Sequence, residues 1–110
     1  MFPHSKMDNV VIIRPKGQLD ISNAATFKNW VRDSFINMGE KRIVIDLSDV
    51  RSVDSFTLGV FVSLYKSLVM NGGKLVIAGA NDSIKKVILI TSLDKIIPLV
   101  DDVKKALELF

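Results

Sequence analysis

The chain contains no cysteine and a single histidine, His4. The first absence excludes disulfide staples, thiol catalysis and every cysteine-built metal site, and one imidazole is too few for a histidine metal site. His4 lies near the start of the chain with no orienting partner in sequence, so it reads as solvated rather than as a general base. The 6 glycines are arranged neither as GxxxxGK[ST] nor as GxGxxG, which removes the phosphate-cradling loops. Gly72-Gly73 stands between a helical and a strand-like segment, the wrong order for such a loop, and reads as a helix stop. No apolar run reaches membrane-spanning length. The opening MFPHSKMDN has no charged leader followed by an apolar block, so no signal peptide is expected. The net charge of +3 is scattered. Its densest basic spot, Lys85-Lys86, reads as a solvated helix face, and no basic stripe interleaved with aromatics marks a nucleic-acid binder. These absences lead us to expect a soluble, cytoplasmic, monomeric, non-enzymatic protein with no nucleic-acid partner and no membrane span.

What is present is ordinary for a globular domain: 110 residues, 48% apolar and 25% charged, enough for one core and too short for two domains. VVIIR at 10–14 is β-branched and reads as a strand, with a weaker edge strand at 2–6 joined to it through Met7-Asp8-Asn9. Gly17 to Asp20 reads as a break. Ser22 or Asn23 can cap a helix running to about Met38, with Ala24, Phe27, Val31, Phe35 and Met38 as its buried stripe, Trp30 beside it and Gly39 as its stop. RIVIDL at 42–47 and KLVIAG at 74–79 read as strands buried on both faces. A second helix is expected from about Ser55 to Met70. A third is expected from a cap at Asn81, Asp82 or Ser83 to Thr91, with Ile84, Val87, Ile88 and Thr91 facing inward. IIPLV at 96–100 is demoted to an edge strand by Pro98, and a last helix is expected over 101–109, with Asp101-Asp102 at its positive end. The order β(β)αβαβα(β)α predicts an α/β fold: one mixed, mostly parallel sheet of four to five strands with about four helices.

The chemistry must lie in VRSVDSFTLG, residues 50–59, between a strand and a helix. Asp54 or Ser55 is the expected N-cap of that helix. Leu58, Phe61, Tyr65 and Leu68 form its core stripe, widened by Val62 and Val69. Phe56, Val60, Ser63 and Ser67 fall on a second, partly apolar face that suits docking of a partner. Asp46, Asp49 and Asp54 lie near one strand end, where open α/β sheets place ligands. No lysine or second motif accompanies them, so magnesium-dependent phosphotransfer is not expected.

The ordered motifs resemble those of the STAS domain, the fold of bacterial anti-sigma factor antagonists, over nearly the whole chain. Gly17-Gln18-Leu19-Asp20 resembles G-x-[LI]-D, and Ile45 to Val50 resembles D-L-S-x-V. Asp54-Ser55-Phe56-Thr57-Leu58-Gly59 resembles D-S-[STA]-G-L-G. Asn71 to Leu75 resembles G-G-x-L, and Thr91 to Ile96 resembles T-G-L-D-x-[LI]. The resemblance implies a single STAS domain over 1–110 that binds an anti-sigma factor, itself a serine kinase, and so releases a sigma factor. It implies phosphorylation of Ser55, with Thr57 the lesser candidate, as the event that breaks the complex. Asp20, Asp54, Ser55, Phe56, Thr57 and Val60 are the expected partner-binding residues. Phe56 and Thr57 depart from the small residue and glycine of the pattern, and Ser92 from a later glycine. A STAS interaction module without a phosphoswitch, as in a scaffold or lipid-transport complex, is the alternative. No cofactor or metal is expected; weak nucleotide binding through Asp20, Asp46 and Asp54 is the one ligand activity left open.

Overall fold

The computed structural model describes residues 2–110. The chain begins with the hairpin of β1 (His4–Met7) and β2 (Val10–Ile13), whose turn residues Asp8 and Asn9 have φ of 55° and 65°, the left-handed pair that a tight two-residue hairpin requires. The first strand starts two residues later than expected because Pro3 stays outside the ladder. The remaining elements are β3 (Gly17–Leu19), α1 (Ala24–Val31), β4 (Arg42–Asp46), β5 (Val50–Val53), α2 (Ser55–Met70), β6 (Lys74–Ala78), α3 (Asp82–Ile90), β7 (Leu99–Val100) and α4 (Val103–Leu107).

The main sheet has five strands in the order β1-β2-β4-β6-β7, all pairs parallel except β1 with β2. Both faces are covered, which explains the unbroken apolar runs. Val11, Ile13, Ile43, Ile45, Leu75 and Ile77 pack in the larger core with residues of α1, α2 and α3. Val10, Ile12, Val44, Val76 and Ala78 face α4, around Ala106.

Several expectations are corrected. The Gly17–Asp20 break is a strand: β3 pairs in parallel with β5, which was not expected as a strand at all, to make a separate two-stranded ribbon. Each is only three or four residues long, with too few side chains to show a period. Helix α1 does not continue regularly to Met38. A π-turn over Arg32–Ile36, carried by the bond from Asn37 N–H to the Arg32 carbonyl at 2.8 Å, adds a residue to the turn. That residue shifts the buried phase from Phe35 to Ile36 and leaves Met38 76% exposed. Phe35 instead joins Trp30, Phe2 and His4 in an aromatic cluster with ring centroids 5.2–5.4 Å apart. In α2, Val69 is exposed, whereas Thr57, Val60 and Leu64 join Leu58, Phe61 and Leu68 in the core. Thr91 is exposed as the C-cap of α3, and the expected strand at 96–100 is reduced to Leu99–Val100, preceded by a 3₁₀ turn over Leu93–Lys95. Helix α4 spans Val103–Leu107, capped by Asp102, whose side chain accepts from Lys105 N–H.

Candidate functional site

The β3–β5 ribbon positions the site. Its parallel strands lead directly into α1 and α2, so the amino ends of these helices are delivered side by side. Asp54 is the N-cap of α2, in extended conformation with φ −115°. Its Oδ1 accepts the Thr57 backbone N–H at 2.9 Å and lies 2.8 Å from the Thr57 hydroxyl. Its Oδ2 accepts the Ile21 backbone N–H at 2.9 Å. One carboxylate thus caps α2 and staples the entry of α1 to it. The Thr57 backbone N–H holds the Asp54 carboxyl below its ordinary value; burial opposes this, while the Thr57 hydroxyl and the Ile21 N–H add to it.

Thr57 is fully buried, and its hydroxyl also lies 2.7 Å from the Leu19 carbonyl oxygen, so one proton is shared between two acceptors. It is thus a tie between the ribbon and α2. This corrects its reading as a second modifiable hydroxyl and as a docking residue: a kinase cannot reach it without opening the core. Val60 is corrected in part: at 5% exposure most of it packs in the core under α1, and only its edge lines a cleft beside Ser55. Asp20 is half-buried and organises the turn into α1: its Oδ1 accepts the Ser22 N–H at 2.9 Å, and its own N–H donates to Asn23 Oδ1 at 3.0 Å.

Ser55, the first residue of α2, is exposed. It stands on the rim of two clefts. One, of about 220 Å³, is apolar and runs between α2 and the segment after α3, lined by Leu58, Gly59, Val62, Leu93 and Ile96. The other, of about 280 Å³, is lined by Phe56, Gly59, Val60, Ser63 and Lys28 of α1. Ile21 and Ile96 are 71% and 49% exposed, and Phe56 is 41% exposed. Gly59, common to both clefts, has no atom within 4 Å of where a Cβ would stand. Lys28, Leu93 and Ile96 were not found from the sequence. Leu93 and Ile96 belong to the Thr91–Ile96 motif, but only the packing of α1 and the 3₁₀ turn against α2 brings the three residues here.

Asp20, Asp46 and Asp54 are not gathered into one ligand site. Asp46 lies with the residues facing α4, 2% exposed, with Oδ2 accepting from Arg14 Nε at 2.7 Å and Oδ1 from the Ser48 N–H at 3.0 Å. The strand alternation turns it to the sheet face opposite the one that α2 covers. Among the described residues no cluster of acids and histidine is arranged to hold a metal ion. No helix of the described residues is long and apolar enough to cross a membrane.

The STAS domain family model matches residues 4–106. The chain belongs to the STAS domain family. A candidate anti-sigma factor antagonist of Thermotoga maritima is 43% identical over 108 residues, covering 98% of this chain and 96% of the relative. The crystal structure of a Thermotoga maritima protein so described superposes with a TM-score of 0.95 at 42% identity, covering 98% of this chain and 92% of that one. The anti-sigma F factor antagonist of Paenibacillus polymyxa is 26% identical over 89% of this chain and 84% of its own length. The STAS fold is shared more distantly with the anti-sigma factor antagonist SpoIIAA, at 17% identity. Its unphosphorylated form gives a TM-score of 0.82 over 98% of this chain and 94% of that one. Its phosphorylated form gives 0.74 over 98% and 97%. The motifs read from the sequence therefore identify the family correctly, and the mixed, mostly parallel sheet with four helices is the STAS architecture.

Proposed function

We propose that this STAS protein is an anti-sigma factor antagonist: a non-catalytic regulator that binds an anti-sigma factor with serine kinase activity, frees a sigma factor, and is switched off by phosphorylation of Ser55. The observation that carries the reading is the contrast between two adjacent hydroxyls. Ser55 is exposed on the rim of two clefts bordered by Phe56 and Ile96, whereas Thr57 is buried and fixed. Support comes also from the anti-sigma factor antagonists to which the chain is similar. The switch is electrostatic. A phosphate adds about −1.5 to −2 charges and strong acceptor oxygens to a surface that has to be desolvated on docking. Phe56, in place of a small residue, supplies an anchor beside the modified serine.

The test is binding of purified anti-sigma factor from the same cells to the wild type, Ser55→Ala and Ser55→Asp, with mass mapping after incubation with ATP. Phosphate is expected on Ser55 alone, with binding kept by Ser55→Ala and lost by Ser55→Asp. Equal binding by the two variants, or no phosphate under any condition, overturns the phosphoswitch and leaves a constitutive binding module.

A further inference from the structure

A second site is legible at the far end of α2. Ser55 and the Asn71–Gly73 turn bracket this 16-residue helix, so they lie about 24 Å apart by helix rise. At that end Arg42 and Lys74 are register partners at the starts of β4 and β6. Alternation from Val44 and Val76 puts both side chains on the α4 face. Like charges directly opposite on neighbouring strands repel. Lys41 adds a third cation: its carbonyl accepts the Lys74 N–H at 2.7 Å, and its ammonium lies 3.9 Å from where a Gly72 Cβ would be. Among the described residues none of these three forms an ion pair that would neutralise the cluster.

The three cations border a cleft of about 290 Å³ that also takes in Gly72, Gly73 and Phe110 and has no acidic side chain in its lining. The tight turn beside it requires both glycines. Gly72 has φ +78°, and a Cβ on Gly73 would lie 2.6 Å from the Lys41 carbonyl oxygen. Lys74 is held in place by donating to the Leu109 carbonyl at 2.8 Å, with its ammonium 5.9 Å from the centre of the Phe110 ring. Arg42 is exposed and forms no ion pair among the described residues, so its guanidinium is open to solvent.

We propose that this cleft binds a phosphate-bearing small molecule. The Arg42 guanidinium offers the planar fork that matches a phosphate, with Lys41 and Lys74 as flanking point charges. The volume suits a pyrophosphate or a single nucleotide rather than a larger ligand. The inference is independent of Ser55.

The test is an NMR titration of the ¹⁵N-labelled full chain with pyrophosphate and, in parallel, with ATP, at constant ionic strength. Saturable shifts confined to residues 41–42, 72–74 and 109–110 are expected. The double variant Lys41→Gln/Arg42→Gln should weaken binding by at least about tenfold. Both side chains are exposed, so its melting temperature should match the wild type. Equal affinity for the two ligands identifies the phosphate as the recognised group, and tighter ATP binding adds the nucleoside against Phe110. Shifts that fail to saturate, spread over all lysines or persist in the double variant overturn the site.

Discussion

Replacing Gly59 by alanine should make the protein more stable and a poorer binder. Gly59 lies inside α2 and is not among the residues with positive φ, so its backbone makes no demand for glycine. Packing makes none either, because nothing stands within 4 Å of the position a Cβ would take. Glycine in a helix interior costs about 1 kcal/mol relative to alanine, through the freedom it has in the unfolded chain. With no clash to set against that gain, Gly59→Ala should raise stability by about 1 kcal/mol, and the melting temperature by about 4–6 °C for a domain of this size. Urea unfolding followed by circular dichroism measures the first, with an unchanged slope showing that the same surface is exposed. The added methyl stands on the floor shared by the two clefts beside Ser55. On the proposed function it keeps a partner's backbone from approaching, and affinity for the anti-sigma factor should fall by about tenfold. Opposite movements of stability and binding cannot arise from damage to the fold. A neutral or destabilised Gly59→Ala would refute the open-space argument. A stabilised variant that binds normally would show that the partner docks elsewhere.

Two further substitutions probe the joint between α1 and α2. Asp54→Ala removes the cap of α2 and the acceptor of the Ile21 N–H and should cost about 1–2 kcal/mol in urea unfolding. Because the folded-state carboxyl lies below its ordinary value, its charged form contributes stability fully above about pH 4 and loses it as pH falls through the depressed folded value. The gap between wild type and Asp54→Asn should therefore be flat from about pH 5 to 8 and close in acid; a gap that widens in acid would contradict this. Thr57→Val keeps the shape but leaves the buried Leu19 carbonyl without its donor, so a loss of about 1–3 kcal/mol is expected, and a neutral result would remove Thr57 as the tie.

The long elements were legible because their signals are local and repeated. β2, β4 and β6 are apolar runs that only a doubly covered sheet can bury, and α2 ends at an Asn-Gly-Gly that permits little else. The ribbon was not legible. Gly17-Gln18-Leu19 holds a single buried side chain, and it becomes a strand only because Val50–Val53 lies beside it. The π-turn in the first helical segment was hidden for a different reason. Phe35 and Ile36 are both apolar, and helical spacing alone favours Phe35, until the aromatic cluster with Trp30 and His4 supplies it with another place. At the site, the signature marked Asp54 and Ser55 by position, but exposure separates Ser55 from Thr57. Val60 followed the helical period onto the expected docking face, but α1 covers most of it and leaves only its edge in the cleft beside Phe56.

That separation bears on how a modification of Ser55 would be transmitted. Part of the first turn of α2 is already committed: the Thr57 N–H goes to the Asp54 carboxylate and the Leu58 N–H to the Asp54 carbonyl at 3.2 Å. A phosphate on Ser55 therefore meets a helix end whose Thr57 and Leu58 N–H groups are taken and whose cap is itself an anion. The helix dipole favours the added charge by about 0.3–1 kcal/mol, while the adjacent Asp54 opposes it. Neither effect is large enough to unfold a domain with this core. What changes is the surface, where a dianion now stands between an apolar cleft and the cleft lined by Lys28 and Phe56. On the proposed function the switch thus requires no second conformation: docking fails because the same surface can no longer be desolvated, while the fold beneath it stays as it was.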